Sequence, residues 1–70
     1  MKRVDLIKKI GTAAAEVGKE FELLREGGSH SIFRCGGQKV VIPRHREINE
    51  YTARGIMSDL DDQLGEDWWK

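Results

Sequence analysis

The run Gly27-Gly28-Ser29-His30-Ser31-Ile32-Phe33-Arg34, answered after a short interval by Pro43-Arg44-His45, carries the acid-base chemistry of this chain. A histidine changes charge near neutral pH without environmental help, and paired glycines let a backbone turn sharply and approach a ligand closely. His30 is the candidate proton acceptor, with Gly28 and Ser29 as the adjoining loop. Arg34, Lys39 and Arg44 bring positive charge into the same region, and arginine suits a bidentate grip on an oxyanion. His45 is a second titratable group. Together these residues describe a small site for an anionic substrate.

Other chemistries fit poorly. Two histidines and the single Cys35 lack zinc-site spacing, and no cluster of carboxylates accompanies them, so neither a metal nor another cofactor is expected. No serine, histidine and aspartate stand in an arrangement like that of a serine protease. Each candidate also has a plainer reading. A histidine at a strand start is often structural, exposed cations are often a solvated sheet face, and Gly27-Gly28 serves equally as a turn.

A chain of 70 residues makes one domain, and folding at that size buries only about 60% of the surface that the unfolded chain exposes. Twelve Lys and Arg balance twelve Asp and Glu, so net charge alone does not indicate a polyanionic partner. The distribution says more. Between Arg25 and Arg46 the only acid is Glu26, whereas Asp59, Asp61, Asp62, Glu66 and Asp67 face only Lys70 toward the end. With one cysteine no internal disulfide can form, which suits a reducing compartment, and Cys35 reads as a half-buried strand residue. No apolar run is long enough for a signal core or a membrane span, so a cytoplasmic location without membrane contact is expected.

The elements that must hold the site can be read from periodicity. Leu6, Ile7, Ile10, Ala13, Ala14 and Val17 recur at helical spacing and predict an amphipathic helix over residues 3–17, ended by Gly18. Residues 21–25, 31–35 and 38–42 read as strands, with Gly36-Gly37 as a two-residue hairpin loop between the last two. That loop length pairs Phe33 with Val40 and Ser31 with Ile42 on the core side. It leaves His30, Ile32, Arg34, Lys39 and Val41 on the other side, with His30 opposite Pro43. Asn49 reads as the cap of a second amphipathic helix through Ala53, Ile56, Met57, Leu60 and Leu64 to Gly65. The expectation is an α+β fold of order α-β-β-β-α. Its three-stranded antiparallel sheet carries two helices on one face, as in a double-stranded-RNA-binding domain. Residues 1–65 form the domain and residues 66–70 an acidic tail, whose Trp68-Trp69 pair reads as a hydrophobic clamp or a partner contact.

Asp5-Leu6-Ile7-Lys8, Gly28-Ser29-His30, Ile32-Phe33-Arg34 and Val41-Ile42-Pro43-Arg44-His45 follow one another as the landmarks of HicA-family toxins do. The resemblance covers residues 2 to about 64. It implies a toxin of a type II toxin-antitoxin system, an mRNA interferase that cuts messenger RNA with His30 and is neutralised by a HicB-like antitoxin. The chain departs from the family pattern in a longer segment before Gly28, in Ser31 where many members place a second histidine, and in its Trp-containing end. Cutting RNA through its own 2′-hydroxyl needs a base for that proton and positive charge around the phosphate. His30 is placed for the first role, and Gly28, Ser29, Arg34, Lys39, Arg44 and His45 for RNA contact, with His45 or water protonating the leaving oxygen. A non-catalytic RNA-binding module and a structural subunit are the competing readings.

Overall fold

The computed structural model describes residues 1–70 as α1 (Arg3–Glu16), β1 (Phe21–Glu26), β2 (His30–Cys35), β3 (Gln38–Pro43), α2 (Glu50–Asp59) and α3 (Asp61–Leu64). The strands make one antiparallel sheet in the order β1-β2-β3. Ser31, Phe33 and Cys35 of β2 and Val40 and Ile42 of β3 are buried, while the alternate residues face outward. Leu6, Ile10 and Ala14 of α1, Ala53 and Met57 of α2, and Leu60 and Leu64 around α3 complete the core on that one side. The predicted α-β-β-β-α architecture with an open sheet face is the observed one.

The β2–β3 register is the one that a two-residue loop dictates: Cys35 opposes Gln38, Phe33 opposes Val40 and His30 opposes Pro43. Gly36 takes a φ of 59°, a conformation that side chains disfavour. It is also crowded, since a Cβ there would overlap the Gln63 side chain, which Lys19 Nζ holds through a 3.1 Å hydrogen bond. The Gly36 N–H donates to the Glu20 carbonyl at 2.9 Å, anchoring the turn to the residue just before β1. Pro43 fits its place because Arg44 N–H donates to Ser29 O at 2.9 Å. That bond makes residues 29 and 44 a hydrogen-bonded pair, so the next pair, His30 with Pro43, needs no N–H from the proline.

Two elements differ from the sequence expectation. β1 carries a bulge, because Leu23 pairs with Phe33 but Arg25, not Leu24, pairs with Ile32. Simple alternation from Phe21 would turn Arg25 toward the helices; the extra residue turns it to the open face instead. The second helix is also not continuous. Asn49 caps it as expected, its side chain accepting from Thr52 N–H at 2.8 Å, but the helix stops at Asp59. There the Asp59 carbonyl accepts from Gln38 Nε2 at 2.7 Å, and Gln63 N–H turns to Leu60 O, only three residues back. The break lets Leu60 and Leu64 both stay buried before Gly65 ends α3.

Trp68 and Trp69 pack against the core cluster. Trp68 Nε1 donates to Met57 O at 2.8 Å, a second bond on a carbonyl of the last helical turn that also accepts from Leu60 N–H at 3.1 Å. Trp68→Ala removes both the half-buried ring and this bond. It should lower unfolding free energy by about 2 kcal/mol in a urea titration, less than for a fully buried tryptophan.

Cys35 is fully buried, a correction to the half-buried strand residue expected from its place in the hairpin. Its side chain lies on the core side of the sheet, within the apolar cluster. Burial pushes its thiol above the ordinary value of 9.0, while Lys19 pulls weakly the other way. A folded thiol that resists ionisation means that the unfolded chain gains thiolate first as pH rises. Stability should therefore be intact below pH 9.0 and fall above it, an alkaline decline that Cys35→Ala should reduce in thermal melts.

Candidate active site

The outward face of the sheet is a grid set by the two registers. One row runs Arg25–Ile32–Val41 across the three strands; the next toward the loops is His30 beside Pro43; the row on the other side is Glu22–Arg34–Lys39. His30 stands exposed at the start of β2, where both hairpins end. Beside it lies a depression of about 340 Å³ lined by Arg25, Gly27, Gly28, Ser29, His30, Ile32 and Val41.

The glycine loop is held closed, though not by the left-handed geometry that glycines permit. Neither Gly27 nor Gly28 has a positive φ. Gly27 matters because the chain passes close by, its N–H donating to His30 O at 2.8 Å, and a Cβ there would press on that oxygen at 3.2 Å. Gly28 and Ser29 form the two-residue turn. Their own backbone N–H groups donate to nothing within the chain, and both residues line the depression.

The cations predicted around His30 divide into committed and free. Arg44 Nη1 donates to Gly27 O at 2.6 Å, and its Nε lies 3.8 Å from Glu26 Oε1, so this guanidinium braces the loop. Arg34 pairs with Glu22 across β1 and β2. Lys39 is exposed and without an ion pair, in the row beyond Ile32. His45 is exposed two residues past Pro43 and does not line the depression. Arg25 was missing from the sequence-derived set, since only the bulge brings it to His30's side of the sheet, and it too has no ion pair. The imperfect alternation of Phe21-Glu22-Leu23-Leu24-Arg25 was the signal for that bulge.

Behind His30 a polar network fixes the strand ends. Ser31, fully buried, accepts from Arg3 Nη2 at 2.7 Å and donates to Glu26 Oε1 at 3.1 Å. Arg3 Nε also donates to Pro43 O at 3.0 Å. The first turn of α1 thus ties together all three strands at the level of the site. A buried hydroxyl between two charged groups is worth more than an ordinary hydrogen bond. Ser31→Ala should cost about 1–2 kcal/mol of stability, measured by chemical denaturation. A loss under about 0.3 kcal/mol would show that the network does not hold the strands.

The bulk of the chain matches a known family. Residues 6–61 match the model of the HicA toxin of bacterial toxin-antitoxin systems. No curated protein and no solved structure gives a significant match. The matched span takes in most of α1, the whole sheet, all of α2 and the beginning of α3, and with them His30, the glycine loop and the Pro43-Arg44-His45 segment. The chain belongs to the HicA toxin family.

Proposed function

We propose that this toxin is an mRNA interferase, an endoribonuclease that cuts RNA at His30 and is held in check by a HicB-like antitoxin seated on the open sheet face. The observation that carries the reading is the presentation of His30. Its ring stands free at the junction of two hairpins, beside the unpaired N–H groups of the glycine loop. Those are the donors that a phosphodiester needs while negative charge builds on its oxygens. His30 takes the proton of the ribose 2′-hydroxyl, and the 2′-oxygen attacks the adjacent phosphorus. The bond to the 5′-oxygen breaks, leaving a 2′,3′-cyclic phosphate on one fragment and a 5′-hydroxyl on the other. Water reaches the open face freely and gives the leaving oxygen its proton, a role for which His45 is poorly placed.

Gly28 and Ser29 offer their N–H groups to the phosphate. Lys39 and Arg25 supply free positive charge, and Arg34 and Arg44 act from positions already neutralised by Glu22 and Glu26. A base in place contributes about 10²- to 10⁴-fold to such a reaction. The substrate provides its own nucleophile, so the chemistry runs without a metal.

His30→Ala should abolish both growth arrest and RNA cleavage while changing unfolding free energy by less than about 1 kcal/mol, as for exposed substitutions. Cleavage by the parent should persist in excess EDTA and yield the cyclic phosphate. Full activity of His30→Ala, or loss of cutting in EDTA, would overturn the mechanism.

A further inference from the structure

We infer that the Arg25–Ile32–Val41 row is a base subsite that takes an unpaired guanine next to the phosphodiester at His30. The inference rests on the ribonuclease reading of the same site and adds which nucleotide it prefers. The row crosses all three strands one step from His30, at a separation of about 6.6 Å set by two residues of extended chain. Its middle and far members are aliphatic. Val41 is 51% exposed and Ile32 is half-buried, so together they leave apolar surface uncovered in the depression. Its near member, Arg25, is a guanidinium with no partner, whereas Arg34 and Arg44 on either side of it are each paired with a carboxylate. A flat ring laid on Ile32 and Val41 would bring its edge to Arg25.

The chemistry of that edge selects the base. A guanidinium carries donors only, set in a fork. Guanine answers with two acceptors, O6 and N7, on one edge, and its two fused rings cover Ile32 and Val41 more fully than a pyrimidine ring does; adenine has the same rings but sets an amino donor beside its N7. Resting a ring on the sheet also requires that the base be unstacked, which single-stranded RNA permits and a duplex does not. The bulge at Leu23–Arg25 is what gives the site this arginine.

The test uses four single-stranded RNA pentamers, alike except for one central G, A, C or U, with 2′-O-methyl ribose throughout so that they cannot be cut. Fluorescence anisotropy with the free toxin should show the guanine pentamer binding about tenfold tighter than the other three, the discrimination of one bidentate contact. Arg25→Met should bring that ratio close to one. Arg25→Lys, which keeps the charge and loses the fork, should do nearly the same. Equal affinity for all four pentamers in the parent would overturn the subsite. So would a uniform loss in Arg25→Met with the ratio kept, since Arg25 would then be only a phosphate cation. Because these pentamers are not cleaved, the result is independent of His30 chemistry. A guanine preference without cutting of ordinary RNA would refute the ribonuclease reading and leave the subsite standing.

Discussion

The β2–β3 turn admits a single pairing, and the layout of both sheet faces follows from it. Gly36 adopts a left-handed backbone that side chains disfavour, and a side chain there would have to displace Gln63. With that turn fixed, Phe33, Val40 and Ile42 fall on the core side, while Arg34, Lys39 and Val41 fall on the other. A slip of one residue would exchange the two sets, burying the cations and exposing the core. The turn is braced in its place by α3, through Gln63, and by the connection leading into β1, through Glu20. Packing at one end of the sheet therefore fixes the side-chain layout around His30 at the other.

Charge is handled in the same economical way. The chain has no net charge, yet one face of its sheet gathers several cations. Two of the arginines there are neutralised locally, Arg34 by Glu22 and Arg44 by Glu26, and their work is to brace β1 and the glycine loop. The positive field of the open face is then left to Arg25 and Lys39, at the two edges of the sheet. Separating cations that stiffen from cations that attract explains how a basic stretch can sit in a neutral protein. The acidic end of the chain, folded back through Trp68 onto α2, adds negative charge away from these groups.

Much of this was legible in the residues. The helical spacing of Leu6, Ile10 and Ala14, the Gly36-Gly37 loop and the Asn49 cap each have a local physical cause, and each is found where it was expected. His30 opposite Pro43 followed from the loop length alone. What escaped was tertiary in origin. The Leu60 break depends on Gln38 capturing a helix carbonyl from another element, and no helical periodicity reveals that. The role of Arg25 depends on a bulge, which adds one residue to a strand without changing its composition. The full burial of Cys35 and the Arg3–Ser31–Glu26 network depend on helices crossing behind the strand, beyond the reach of any local pattern.

β1 is a free edge of the sheet, with Leu23 and Leu24 each a little under half exposed along it. An exposed apolar edge is a template on which other strands can assemble, and natural sheets blunt such edges with charges and irregular pairing. Here the surplus residue Leu24 supplies the irregularity, and Glu22 and Arg25 flank it with charge. Removing Leu24 would leave Arg25 opposite Ile32 and straighten the edge. A residue dispensable for pairing thus guards the toxin against aggregating through its own sheet.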